Sequence, residues 1–272
     1  MSSISNSVAF GVGLTAGGLL MRERRFRISA ERLGAATLET LLATIDANDA
    51  VTGAHVRRVA DYSLILADAA ELDERTRRSV ERVALFHDIG KIHEAINDIF
   101  HEKSGLTQAE RRAVMTHPRR GADVLEPLRP FYPDLADGVL SHHERWDGTG
   151  YPRHRKGRRI PITARIVAIA DTFDAVTHSR RYSKARSIAA ATNVIMEGRG
   201  TQFDPELVDL FLSEPVQEII ASRMTTGEKP APRRRRRSNK LVGDNVPDLK
   251  FRWRNEVGVQ RRQGRPNRKR QR

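Results

Sequence analysis

Apolar residues recur at helical spacing through most of this chain, and several of the stripes they form run into a histidine or an aspartate. Leu38, Leu41, Leu42 and Ile45 stand at i, i+3, i+4 and i+7, the apolar face of an amphipathic helix. Val80, Val83 and Ala84 repeat that spacing, with His87 in the last inward slot. Leu135 and Val139 lead to His142, and Ile162, Ile166, Ile169 and Ala170 lead to Asp171. Thr107-x-x-Glu110 has the form of a capping box, opening a helix expected to run to His117 and to stop at Pro118. Ser187–Glu197 and Pro205–Leu212 supply two further helices. No convincing run alternates with period two, so the expected fold class is all-α.

The exception is Arg145–Arg159, polar and rich in Gly, His and Arg. An irregular connection of that length in a helical protein is functional or disordered. The helical pattern is expected to fail after about Ile220. From there to the end the chain reads as a basic, disordered tail. Residues 229–272 carry 17 Lys and Arg against 3 Asp and Glu, a surplus equal to the formal net charge of +14 of the whole chain. Residues 1–228 are therefore electrically balanced, and any attraction for nucleic acid, anionic lipid or an acidic partner is assigned to the tail. Trp253, between Arg252 and Arg254, adds a group that can stack or sit at an interface.

Near the other end, the apolar run Val8–Met21 is too short for a membrane span and is followed by Arg22, Arg24, Arg25 and Arg27. Residues 1–30 are read as a leader or the stub of a membrane anchor, 31–220 as the folded domain and 221–272 as the tail. The expected setting is the cytoplasm, with the inner membrane alongside where the stub acts as an anchor. No receiver or other sensor domain is expected within the roughly 30 residues ahead of the domain.

The chain has nine histidines and no cysteine. Disulfide scaffolds, thiolate zinc sites and cysteine nucleophiles are thus excluded. His87-Asp88 and His142-His143 are adjacent pairs, and His55 and His117 stand alone on expected helices. Four helices would each end their inward stripe on His or Asp. Burying five imidazoles and two carboxylates without a shared cation would cost several kcal/mol in unpaired groups. A metal cluster satisfies them together. Imidazole and carboxylate without thiolate suit Fe, Mn, Zn or similar ions, with Fe or Mn expected.

Ala84-Leu85-Phe86-His87-Asp88-Ile89-Gly90-Lys91-Ile92 resembles the signature of the HD phosphohydrolase superfamily. The run His142-His143-Glu144-Arg145-Trp146-Asp147-Gly148-Thr149-Gly150-Tyr151-Pro152 is similar to the second signature of its HD-GYP branch. His55-x-x-Arg58, Thr116-His117-Pro118, Asp171-x-Phe173-Asp174-Ala175 and Phe203-Asp204-Pro205 extend the match, which covers roughly residues 37–213. The resemblance implies an HD-type helical bundle with an irregular GYP loop. It also implies metal-dependent hydrolysis of cyclic di-GMP, a bacterial second messenger, to the linear dinucleotide or to GMP.

Residue by residue, the resemblance makes His55, His87, Asp88 and Asp171 ligands of one ion. It makes His117, His142 and His143 ligands of a second, with Asp88 bridging. Lys91 is expected on the scissile phosphate or the bridging hydroxide. Gly150, Tyr151 and Pro152 are expected to face the substrate, with Tyr151 against a guanine, and Arg180 and Lys184 are further substrate-binding candidates. The reaction implied is attack by a dimetal-activated hydroxide in line with the departing 3′ oxygen, with no covalent intermediate.

The sequence also departs from the family. Val51 stands where some members carry a third-metal Glu, so two ions are expected. His93 and Glu94 follow Ile92 in place of the usual Gly-Ile-Pro continuation, and Arg181 replaces a common Pro. The competing readings are a hydrolase of another nucleotide phosphoester, and a catalytically weak signalling adaptor that recruits a protein partner through the GYP loop.

Overall fold

The structure, a computed structural model, describes residues 29, 32–47, 50–92, 107–179 and 184–226. The leader, the tail from 227 onward, and the readings placed on His93, Glu94, Arg180 and Arg181 lie outside the described residues. The described elements are helices, with a single isolated bridge between Arg199 and Phe203. In chain order they are α1 (32–47), α2 (Ala50–Ala69), α3 (Glu74–Phe86), α4 (Gln108–Val114), α5 (His117–Leu125), α6 (Leu135–Ser141), α7 (Ile162–Thr177), α8 (Ile188–Glu197), α9 (Pro205–Phe211) and α10 (Glu214–Thr226). None of the described helices is long and apolar enough to cross a membrane.

The stripes read in the sequence face inward. Leu38, Leu42 and Ile45 are buried on α1, Val80, Val83 and Ala84 on α3, and Ile166, Ile169 and Ala170 on α7. Helix α7 is central and packs against α2, α3, α6, α8 and α9. Its Phe173 is fully buried, with Tyr62 of α2 edge-on at 5.0 Å and Phe211 of α9 at 5.4 Å. Helix starts are set by side chains that accept the otherwise unpaired first N–H groups: Asp73 for α3, Thr107 for α4, Ser187 for α8 and Asp204 for α9. The Thr107–Glu110 capping box is formed in both directions.

Three expectations need correction. Pro118 does not stop a helix: α4 ends at Val114, and His117 and Pro118 open α5. A proline is tolerated in a first turn because its missing N–H would have no intrahelical partner there. His117 thus begins a helix rather than ending one. The inward stripe of α7 does not end at Asp171: Phe173, Asp174 and Thr177 are buried beyond it, and the helix runs to Thr177. Finally, α10 runs six residues past the boundary expected at 220, because Val216 and Ile220 are buried and Met224, one turn on, packs against the same core.

Candidate metal centre

The seven expected ligands come from five places in the fold: α2 (His55), the end of α3 (His87, Asp88), the start of α5 (His117), the end of α6 (His142, His143) and mid-α7 (Asp171). They form two groups whose ligand atoms lie within 4.8 Å of one another, His55–His87–Asp171 and His117–His142–His143. Asp88 stands between them. Its Oδ2 is 3.4 Å from His87 Nε2 and 3.9 Å from His55 Nε2, while its Oδ1 is 3.4 Å from His117 Nε2 and 3.8 Å from His142 Nε2.

Backbone packing brings the groups together. A Cβ on Gly90 would stand 2.1 Å from the carbonyl oxygen of His117 and 2.6 Å from the nitrogen of Gly121, so only glycine lets the turn after Asp88 lie against α5. Tyr151 belongs to a loop fastened at several points. The Trp146 and Asp147 N–H groups donate to the carbonyls of Gln202 (3.1 Å) and Thr201 (2.8 Å). Buried Glu144 accepts from the N–H groups of Arg153 (2.8 Å) and Arg155 (3.0 Å), whose guanidiniums reach Asp137 on α6. The Tyr151 ring stacks on His143, with centroids 4.9 Å apart.

The proton positions follow from the hydrogen bonds. The Nδ1 atoms of His87, His117 and His142 each donate to a carbonyl three residues earlier, that of Ala84 (2.7 Å), Val114 (2.7 Å) and Val139 (2.6 Å). A carbonyl only accepts, so Nδ1 carries the hydrogen and Nε2 is left with a lone pair facing the centre. His55 does the same through Asp174, with Nδ1 2.7 Å from Oδ2. Burial, then the neighbouring His87 and His117, pushes His142 down to about 3. Burial and the adjacent His142 and His117 also hold His143 well below its ordinary value. Burial works to raise the Asp88 pKa, but Lys91, whose ammonium donates to Oδ2 at 2.6 Å, and His87 outweigh it and keep Asp88 ionised. His87 runs the other way: burial lowers its pKa, but the Asp88 carboxylate, 3.4 Å from Nε2, more than compensates and raises it, so a proton competes with a cation for the Nε2 lone pair.

Whether this set fits a metal can be judged from its unpaired atoms. His55 Nε2, His87 Nε2 and Asp88 Oδ1 are buried and meet no hydrogen-bond partner. Each such atom costs about 1–3 kcal/mol if left alone. Divalent cations coordinated by inward imidazoles and carboxylates remove that cost, so the donor set fits them.

The other expected residues are placed less centrally. Gly150 is packed against backbone: a Cβ added there would fall 2.3 Å from Arg145 N and 2.6 Å from His143 O. Tyr151 and Pro152 are half-buried beside it. Lys184 is exposed, and Val51 lies on α2 one turn before His55. Sequence reasoning gave no role to Asp174, Glu144 or Asp137. Asp174 could have been found from its i+3 spacing to Asp171. Nothing local marks Glu144 or Asp137 as loop fasteners.

The chain belongs to the HD domain family, whose model matches residues 39–207. The signature from His142 to Pro152 places it in the HD-GYP branch of that family. The cyclic di-GMP phosphodiesterase response regulator RpfG of Xanthomonas campestris pv. campestris (strain 8004) is 37% identical over 193 residues, covering 70% of this chain and 50% of that protein. The 3′3′-cGAMP-specific phosphodiesterase 2 of Vibrio cholerae is also 37% identical, over 66% of this chain and 34% of that protein. Among solved structures, a cyclic GMP-AMP specific phosphodiesterase of V. cholerae (V-cGAP3) aligns with a TM-score of 0.52 at 26% identity, covering 71% of this chain and 50% of that one. This chain therefore spans half or less of each of these proteins.

Proposed function

We propose that this chain hydrolyses a phosphodiester bond of a cyclic dinucleotide, cyclic di-GMP foremost, and so lowers a bacterial second messenger. Two divalent ions, Fe or Mn, would be held by His55, His87, Asp88 and Asp171 on one side and by His117, His142, His143 and Asp88 on the other. The observation that carries this reading is the division of the two Asp88 oxygens between two histidine groups. When bound, such ions would supply a hydroxide at neutral pH and stabilise negative charge on the phosphate.

The chain's own residues do the rest. Lys91, with its ammonium 2.6 Å from Asp88, stands beside the metal-facing oxygens and offsets the charge that builds on the phosphoryl group. Tyr151 presents an aromatic ring at the rim of the second group, where a guanine can rest on or against it. Gly150 and Pro152 set the position of that ring. Arg180 and Lys184 contribute positive charge toward the substrate phosphates.

The equal identity to a cyclic GMP-AMP phosphodiesterase favours one second reading, in which the mixed dinucleotide is the preferred substrate. Steady-state turnover on cyclic di-GMP, cyclic GMP-AMP, cyclic di-AMP and linear dinucleotides, assayed anaerobically with Fe or Mn, separates the two. A higher kcat/KM for cyclic di-GMP supports the first reading. A preference for cyclic GMP-AMP selects the second, and inactivity on all cyclic dinucleotides removes both.

A further inference from the structure

His55 lies between two carboxylates of one helix. Asp171 Oδ1 is 3.4 Å from its Nε2, and Asp174 Oδ2 is 2.7 Å from its Nδ1. Asp171 and Asp174 are one turn apart on α7, as His55 and Arg58 are on α2, so the two helices present matching ladders. Asp174 is only 1% exposed and is surrounded by donors: Arg58 Nε at 2.6 Å, Arg58 Nη2 at 3.1 Å and His178 Nδ1 at 3.0 Å, besides His55. All of these partners donate, so both oxygens of Asp174 act as acceptors, and the Arg58 guanidinium balances its charge. It is a buried anion that makes no direct contribution to the ligand set.

The two groups are therefore anchored differently. His117 and His142 lean on neutral peptide carbonyls, and His87 does the same in its own group. His55 alone among these four leans on a full negative charge. A carboxylate on the far nitrogen fixes both the tautomer and the ring angle, and it makes the near nitrogen a stronger electron donor.

We infer that Asp174 is a positioning residue that sets ion affinity at the His55–His87–Asp171 group and leaves the other group untouched. The inference rests on the two-ion reading above and deepens it, by making the two ions unequal and naming the residue responsible. The competing explanation is purely structural: Asp174 would serve only to tie α2 to α7 through Arg58.

The test uses the full chain and Mn²⁺, titrated calorimetrically into metal-free protein, with bound Mn²⁺ per chain counted after removal of free ion. Wild type should show two binding steps. Asp174→Asn keeps an acceptor for His55 but loses the charge, and one step should weaken by about 10–100-fold while the other holds. Asp174→Ala should retain about one ion per chain. Arg58→Met breaks the helix tie and spares the His55 bond, so both steps should stay at wild-type strength. In a His117→Ala background, where the His55 group alone is complete, the Asp174→Asn penalty should fall on the one remaining step.

Should Asp174→Ala fail to fold, the Asn variant decides. Unchanged affinity at both steps in Asp174→Asn overturns the inference and leaves the two-ion reading standing. So does an Arg58→Met variant that weakens the same step equally. Wild-type protein that takes up fewer than two ions overturns the reading itself, and this inference with it.

Discussion

Gly90 packs against His117 so closely that any side chain at position 90 would collide with the His117 carbonyl, 2.1 Å from an added Cβ. The contact sets how near Asp88, two residues before Gly90, comes to the second histidine group, where its Oδ1 lies 3.4 Å from His117 Nε2. Gly90→Ala must push α5 away through rigid backbone. The expected result is a destabilisation of about 1–3 kcal/mol in chemical denaturation, as for other overpacked sites, together with a loss of bound metal. Wild-type stability and metal content in this variant would show that the turn gives way without moving Asp88.

Gly150 makes the same kind of contact at the other rim of the site. An added Cβ would meet Arg145 N at 2.3 Å and His143 O at 2.6 Å, all backbone. Gly150→Ala is expected to displace Tyr151 from His143 and raise KM by about tenfold or more, the loss of roughly one good substrate contact. A change confined to kcat would instead place the loop's effect on the ligands rather than on the substrate.

The helical stripes were legible because they depend on local spacing, and the expected ligands because they stand in motifs similar to the HD and HD-GYP signatures. Val80, Val83, Ala84 and His87 fall on one face of any helix that contains them, and all four are buried. Two classes of feature were not legible. The first is where one helix gives way to the next: Thr116-His117-Pro118 reads as a stop, yet it is a start, because proline suits both sides of a break. The second is the support behind the ligands. Asp174 meets His55 and Arg58 across more than 110 residues of chain, and Asp137 meets Arg153 and Arg155 only because the loop folds back on α6. Such pairings depend on tertiary packing that no window of sequence contains.

Asp61, on α2, gives the fold a pH dependence away from the metal centre. Burial is the main cause that pushes its carboxyl up from 3.8 to about 6, with Glu81 of α3 adding to it and Arg223 of α10 opposing. The folded state thus holds this proton more tightly than the unfolded chain does, and the associated stability is lost as pH rises from 3.8 through about 6. Asp61→Asn removes the titration. It is expected to melt at a higher temperature than wild type at pH 7.5, with the gap closing toward pH 4. A gap that stays constant over that range would assign the effect to packing instead of charge.

Buried Asp204 pairs with half-buried Arg165 and so joins the first turn of α7 to the start of α9, where Asp204 also accepts from Glu206 N at 3.0 Å. Asp204 is 2% exposed, and Arg165 also lies 6.0 Å from the ring centre of Trp146 in the GYP loop. Asp204→Ala leaves a cation uncompensated beside the core and should cost about 3–5 kcal/mol in urea denaturation. A loss below about 1 kcal/mol, the ordinary value of an exposed pair, would mean that Arg165 is free to turn to solvent.

Asp88 is expected to serve both ion groups at once, and one pair of samples tests this most directly. Wild-type and Asp88→Ala protein, loaded anaerobically with the same metal, are compared for ions per chain and for turnover of cyclic di-GMP. Two ions and selective hydrolysis are expected in the wild type, with fewer ions and only background turnover in Asp88→Ala. An Asp88→Ala variant that holds two ions and turns over at the wild-type rate would contradict a bridging role for Asp88.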